Sequence, residues 1–125
     1  MGMLDTAGAW QAREDAVGEW YQMDLGSVHL LVGVVTQGRY YGGFTGWEPA
    51  YEWVTSYNLS YSENGVVWSA YGGGAILLGN TNSNSKRTNT LTAGGSLQAQ
   101  ALDGLMARYV RIHPLTWNNH ISMRA

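Results

Sequence analysis

The chain has 125 residues, with seven Lys or Arg against nine Asp or Glu and a formal net charge of −2. This length predicts a single domain, residues 1–125, and the few basic residues exclude the phosphate-neutralising surface that nucleic-acid binding requires. Abundant glycine, with six Trp and eight Tyr beside a single Phe, is typical of strands and turns and predicts an all-β domain.

The first predicted strands lie in the N-terminal third of the chain. Residues 19–25 alternate polar and apolar side chains, which predicts a strand with one apolar face that ends at Gly26. Residues 28–36 are almost continuously apolar and β-branched. Such a run predicts a central strand that is covered on both faces.

A β-hairpin is the clearest local signal further along the chain. Residues 53–62 alternate regularly, Asn64-Gly65 suits the positive φ of a tight turn, and residues 66–71 return as a strand. One face of the first strand is predicted to carry Trp53, Thr55, Tyr57, Leu59 and Tyr61.

Two more strands are predicted near the C-terminus. Residues 106–113 read as a strand that Pro114 closes, and the alternation of Ile121 and Met123 predicts a short last strand. Between the strands, residues 40–52, 72–74 and 80–100 are rich in Gly, Asn, Ser and Thr and predict loops. Antiparallel sandwiches gather their loops at two ends, where binding residues concentrate.

Five strings resemble the discoidin family, also known as the coagulation factor 5/8 type C family. In chain order they are GEWYQMDLG (18–26), VVTQGR (34–39), WVTSYNLSYSENGVVWSAY (53–71), LGNT (78–81) and ARYVRIHPLTWNNHISMRA (107–125). The resemblance implies a jelly-roll β-sandwich or barrel of antiparallel strands. It also implies a non-enzymatic, extracellular module for adhesion or ligand capture, because family ligands include glycans, anionic phospholipids, collagen and peptide termini.

On such a fold, several residues have expected structural roles. Apolar side chains predicted to face the core are Tyr21, Met23, Leu25, Val110 and Ile112. Charges predicted to pair on neighbouring strands are Asp24, Arg39, Arg108 and Arg111.

The chain departs from the family pattern at both ends and in two loops. The family normally has a strand before residues 8–10 and a closing strand with a cysteine after residue 125, and we expect both to be missing here. Because an unpaired strand edge recruits other strands, a homodimer formed through an exposed edge is one hypothesis. The segments 40–52 and 92–105 are longer than the family pattern, so loop residues are not transferred from it one by one.

The main candidate site is the predicted 40–52 loop. Its aromatic residues are Tyr40, Tyr41, Phe44, Trp47 and Tyr51. Exposed rings suit stacking on a sugar face or insertion into a lipid interface, although they would serve equally to cover one end of the sandwich. A glycan site also needs hydrogen-bonding groups, and the candidates for these are Arg39, Glu48 and Asp5.

Three binding functions follow from this loop. A phospholipid head group favours basic residues, and Arg39 is the only one near the loop, so the sequence favours a glycan. The basic pair Lys86-Arg87 lies outside this loop, in the predicted 80–100 loop. Its two alternative roles are a contact for an acidic group and a solvated loop tip. The third alternative is a structural unit whose aromatic residues form a protein interface.

Other chemistry has little support in the sequence. No nucleophile elbow, P-loop or H-E-x-x-H motif is present, so no catalytic residues and no enzyme activity are predicted. His29, His113 and His120 lack metal-ligand spacing, so no metal or cofactor is predicted, with calcium bound by loop oxygens kept as an alternative. The sequence contains no apolar run of about 20 residues, so no transmembrane segment is predicted. The start of the chain also lacks a signal-peptide pattern. Asn58-Leu59-Ser60 matches an N-glycosylation sequon.

Overall fold

The computed structural model describes residues 3–5, 9–41, 50–92 and 104–125. In these residues the regular structure is ten strands and one turn of 3₁₀ helix, Tyr71–Gly73. The strands are β1 (Trp10–Gln11), β2 (Tyr21–Leu31), β3 (Gly33–Thr36), β4 (Arg39–Tyr41), β5 (Ala50–Ser62), β6 (Ser69–Ala70), β7 (Leu77–Leu78), β8 (Arg87–Thr90), β9 (Leu105–Asn118) and β10 (Ser122–Met123).

The named strands pair in antiparallel fashion throughout. Within the described residues, the largest sheet has six strands in the order β2-β9-β5-β4, with β6 and β7 also bonded to β5. Two smaller sheets pair β1 with β10 and β3 with β8. These curled antiparallel sheets form a jelly-roll β-sandwich, which confirms the predicted fold class.

The core lies on the inner face of β5 and β9. Tyr57 and Ile112 are fully buried there, and Leu91, Ile121 and Met123 close the same cluster. Burial of such large side chains is the main favourable contribution to folding, at about 25 cal/mol per Å² of apolar surface.

Most of the predicted core positions are confirmed. Tyr21, Val110 and Ile112 are buried, and Met23 packs at the margin of the core. Leu25 is wrong as a core residue because 37% of it is exposed. It lies where the register between β2 and β9 shifts, between Asp24 and His29, so the strand leaves the core at that point.

The predicted break at Gly26 and the predicted central strand 28–36 are both wrong. Gly26 has φ +86 and donates its N–H to Asp24 Oδ1 at 2.8 Å, which produces a kink inside β2 rather than an end. The strand continues to Leu31 and forms an edge of the six-stranded sheet. Its apolar run is not covered on both faces, because Val28 and Leu30 are 41% and 39% exposed, and Val32, just after it, is 55% exposed.

Strand β5 changes the direction of its side chains near the middle. Val54 and Tyr57, three residues apart, are both buried, because the pairing with β9 is irregular between Val54 and Ser56 and again between Ser56 and Tyr57. A regular strand would bury only alternate residues. The prediction that Trp53 and Thr55 share a face with Tyr57 is therefore wrong.

Strand pairing modifies three further predictions: one is confirmed with a shorter strand, and two are corrected. The hairpin after β5 is confirmed, with Asn64 Oδ1 accepting the N–H of Val66 and Val67, but its return strand is only β6. Pro114 lies inside β9 rather than closing it. Proline lacks a backbone N–H, but β2 pairs with β9 only as far as Ile112, so no hydrogen bond to β2 is lost at Pro114. The predicted 80–100 loop contains β8, which is held by its pairing with β3.

Candidate ligand cleft

The aromatic side chains predicted for the 40–52 loop begin on paired strands. β4 and β5 align Tyr40 with Tyr51 and Arg39 with Glu52. The rings of Tyr40 and Tyr51 are 4.9 Å apart between centroids and tilted by 40°, and each residue is 52% exposed. Arg39 Nη1 donates to Glu52 Oε1 at 2.9 Å in a largely buried ion pair. Because successive side chains of a strand point to opposite faces, the strand pair presents two rings to solvent on one face and holds the ion pair on the other.

A cleft of about 600 Å³ opens beside Tyr51. Tyr51 and Trp53 form one side of it, loop residues 82–85 form a second side, and Asn118 and Asn119 form the third. None of these lining residues is Asp, Glu, Lys, Arg or His. The cleft therefore combines aromatic surface with neutral amide and hydroxyl groups.

The 82–85 loop is shaped by its own side chains. Asn82 Oδ1 accepts the N–H of Asn84 at 2.9 Å and of Ser85 at 2.6 Å, and Asn82 Nδ2 donates to Ser85 Oγ at 3.0 Å. Such bonds replace the backbone partners that a loop lacks. The buried Asn80 amide also donates to Ser85 O at 3.0 Å and to Thr36 O at 2.8 Å, which ties the loop to the end of β3.

A buried arginine and a glycine hold the lining residues Trp53 and Ser83 close together. Arg124 Nε donates to Gly38 O at 2.7 Å, and its Nη2 donates to Ser83 O at 3.1 Å. A Cβ on Gly38 would lie 2.7 Å from Trp53 Cβ and 2.9 Å from Ser83 Cα. Only glycine lets the strand and the loop approach this closely.

The third side of the cleft is a turn that follows β9. Asn118 and Asn119 both donate their side-chain N–H groups to Tyr51 O, at 3.0 and 3.2 Å. Behind the turn, Asp15 Oδ1 accepts the Ile121 N–H at 2.9 Å and lies 2.6 Å from His120 Nδ1. Burial alone would raise the pKa of Asp15, but these hydrogen bonds lower it below its usual value. The ionised carboxylate therefore fastens the turn from behind.

Two of the predicted polar site residues, Arg39 and Asp5, are not part of the described lining of the cleft. Arg39 pairs with Glu52, and Asp5 pairs with Lys86 and also donates its N–H to Gln37 Oε1 at 3.0 Å. The hydrogen bond from Lys86 lowers the pKa of Asp5. Of the candidate aromatics, Tyr41 is described by its backbone alone. The remaining candidates, Phe44, Trp47 and Glu48, lie outside the described residues and stay predictions.

Sequence reasoning misses most of the lining of the cleft. The alternation of residues 53–62 assigns Trp53 to the same strand face as Tyr57, and nothing in the sequence links the polar 82–85 loop or the Asn118-Asn119 pair to Tyr51. The runs of Asn and Ser are visible in the sequence, but only the pairing of β5 with β9 places Asn118 opposite Trp53.

Two kinds of feature are absent from the described residues. In that part of the chain, no three His, Cys, Asp or Glu side chains lie close enough together to hold a metal ion. It also contains no helix long and apolar enough to cross a membrane.

Comparison with known proteins identifies the family of the chain. The F5/8 type C domain model matches residues 2–125. Lactadherin from Rattus norvegicus is 34% identical over 131 residues, which cover 99% of this chain and 27% of that protein. Discoidin-1 from Dictyostelium discoideum is 41% identical over 73 residues, 58% of this chain and 25% of that protein. The chain thus spans about a quarter of the length of these relatives.

Solved structures give the same result. The wild-type discoidin II from Dictyostelium discoideum has a TM-score of 0.77 and 28% sequence identity to this chain. The match covers 98% of this chain and 46% of that chain. The similarity therefore includes the sandwich as a whole.

Proposed function

Because this chain belongs to the F5/8 type C domain family, we propose that it is a non-catalytic binding module that captures a neutral glycan in the cleft beside Tyr51. The supporting observation is the lining of the cleft, where two aromatic residues stand among neutral amide and hydroxyl groups. A sugar ring has an apolar face that stacks on an aromatic ring and hydroxyl groups that need hydrogen-bonding partners.

The rings and the amides have separate roles in this proposal. The exposed ring of Tyr51 lies against a sugar face and Tyr40 extends that platform. Asn118 and Asn119 direct their N–H groups to Tyr51 O, so their side-chain oxygens are left to accept sugar hydroxyls. The residues Tyr41, Phe44, Trp47 and Glu48 follow Tyr40 in the chain and stay predictions for this site, while Arg39 and Asp5 support it through their ion pairs.

The expected affinity of one such site is weak. A shallow contact with one or two stacking rings corresponds to a dissociation constant of about 1 mM, or −4 kcal/mol. Several copies acting together would raise the apparent affinity about 100-fold or more. Such a module suits an adhesive role outside cells, which is the role that the family resemblance implies.

The decisive experiment measures binding of Tyr51→Ala to an array that carries neutral glycans and phospholipid spots. We expect Tyr51→Ala to lose the glycan signal, and Tyr51→Phe to keep most of it because the ring remains. Tyr109→Ala is the matched control, since this tyrosine lies on the outer face of β9 and does not line the cleft. Unchanged glycan binding by Tyr51→Ala would disprove the proposal.

A phospholipid surface is the second candidate ligand. Lys86 is partly exposed directly after Ser85, at the edge of the cleft, and Arg87 follows it. Lipid binding through these cations would weaken as salt rises from 50 to 500 mM, by roughly the loss of one or two contacts of about 1 kcal/mol each. Glycan binding would change little over the same range, so a salt titration separates the two ligands.

Self-association is the third candidate, and the exposed side of β2 favours it. In the described residues β2 pairs only with β9, and Val28 and Leu30 are exposed along it. Uncovered edges with apolar side chains recruit other strands. We expect a concentration-dependent dimer in analytical ultracentrifugation that Leu30→Lys abolishes. A wild-type protein that stays monomeric at about 1 mM would exclude the homodimer.

A further inference from the structure

The outer face of the large sheet carries a stack of aromatic rings around one arginine. The Arg111 guanidinium lies 4.1 Å from the centroid of the Trp20 ring and 3.9 Å from that of Trp68. Arg111 Nε donates to Gln22 Oε1 at 2.9 Å. A guanidinium held between two rings on a paired strand has few alternative rotamers. The stack therefore fixes a positive charge at one point of this face.

Arg111 differs from the other arginine on the same stretch of β9. Arg108 donates to both carboxylate oxygens of Asp24, at 2.9 and 3.1 Å, so its charge is compensated. No carboxylate among the described residues lies within ion-pair distance of Arg111. The Nη groups of Arg111 are therefore donors that match an anion from outside.

A groove of about 290 Å³ lies on the same face of the sheet and is lined in part by Ser60, the cross-strand neighbour of Arg111. Its polar lining consists of Asn58, Ser60 and His113, and residues 17–18 and 114–115 form part of its apolar lining. Ser60 is the cross-strand partner of Arg111, and His113 follows Arg111 by two residues, so all three side chains share one face. The groove and the guanidinium are thus neighbours on that face.

The polar groups of the groove are arranged for a ligand with hydroxyls. Ser60 Oγ and His113 Nε2 are 2.8 Å apart. Burial lowers the pKa of His113, and the charge of Arg111 lowers it further, so the imidazole is neutral at neutral pH. A neutral imidazole, a hydroxyl and an amide offer both donors and acceptors, as a sugar requires.

We propose that this groove, together with Arg111, is a second binding site that takes a carboxylate-bearing sugar residue such as a uronic acid. The carboxylate pairs with the Nη groups of Arg111, and the ring hydroxyls face Asn58, Ser60 and His113. The volume of the groove is at the lower end of the range for small-ligand sites, about 300 Å³, which limits the ligand to a single sugar residue. This site is independent of the cleft beside Tyr51 and differs from it in requiring a negative charge.

The test is an NMR titration of the whole chain with D-glucuronate, with D-glucose as the matched neutral sugar. We expect glucuronate to shift the His113 imidazole and the Asn58 and Ser60 amide signals in a saturable way, and glucose to leave them in place. Signals of Asn118 and Asn119 report on the cleft in the same spectra, so failure of one site is seen separately from failure of the other.

Two charge-removing variants separate a built site from general attraction. Arg111→Gln should weaken glucuronate binding by about tenfold or more, because a charged hydrogen-bonding partner is lost. Arg108→Gln removes the same charge from the same strand, where Asp24 already compensates it, and should leave the affinity within about twofold. If Arg111→Gln does not fold, Ser60→Ala takes its place, with an expected loss of about fivefold. The proposal is overturned if glucuronate and glucose give the same shifts, or if both arginine variants bind glucuronate equally well.

Discussion

Replacing Asn80 tests how much one buried amide contributes to the stability of the protein and of the cleft. Asn80 is 3% exposed, and its Nδ2 donates to Thr36 O at 2.8 Å and to Ser85 O at 3.0 Å. Asn80→Ala removes both bonds. At a net value of about 1 kcal/mol each, the free energy of unfolding falls by about 2 kcal/mol.

Asn80→Asp has nearly the same shape but a different charge. Its carboxylate would face the two carbonyl oxygens that the amide now contacts, so both bonds become repulsive and a buried charge is left uncompensated. The expected loss is about 4 kcal/mol at neutral pH. As the pH falls through the raised pKa of this new carboxyl, it becomes protonated and part of the lost stability returns.

Urea unfolding followed by tryptophan fluorescence measures both losses. With a slope of about 2 kcal/mol per molar urea, the midpoint should fall by about 1 M for Asn80→Ala and about 2 M for Asn80→Asp. Because Asn80 holds Ser85 at the cleft, the folded Asn80→Ala protein should also bind glycan more weakly in the absence of urea. The reasoning is refuted if Asn80→Asp is as stable as Asn80→Ala at neutral pH.

Two other predictions concern packing and acid stability. A Cβ on Gly79 would lie 2.3 Å from Val54 O. Gly79→Ala should therefore lower the free energy of unfolding by about 1–3 kcal/mol and lower the melting temperature. An unchanged melting temperature would show that β5 and the 79–80 segment are not so closely packed. The hydrogen bond from Arg108 lowers the pKa of Asp24 below its unfolded value, so the stability from this pair is present above about pH 4 and is lost as the pH falls through the folded pKa. Asp24→Asn should therefore flatten the acid limb of a stability profile measured from pH 2 to 6, and identical acid limbs would contradict the assignment.

Features with local causes are predictable from the sequence. The strand β5 itself, the Asn64-Gly65 turn and the last strand depend on neighbouring residues, and each is present where the pattern predicts it, although the alternation of faces along β5 is not kept before Tyr57. The family pattern supplies the sandwich as a whole, and the core positions of Val110 and Ile112 with it.

Features with distant causes are not predictable in the same way. The strand β8 has the sequence RTNT, with no apolar alternation, and it is a strand because β3 supplies its hydrogen bonds. Pro114 is tolerated inside β9 because β2 ends opposite Ile112. The cleft combines three separate parts of the chain, so its amides near Tyr51 can be recognised only after the strands are paired. The outer groove likewise depends on the register that places Ser60 opposite Arg111.

The change of face within β5 has an evolutionary consequence. Before the irregular pairing near Ser56, the odd-numbered residues Tyr51 and Trp53 point away from the core, and after it the even-numbered residues Asn58 and Ser60 do so. One continuous strand therefore contributes to the cleft with its first half and to the outer groove with its second. Substitutions in either half can alter one surface without moving the other, so the cleft and the outer groove are free to diversify separately on a shared scaffold.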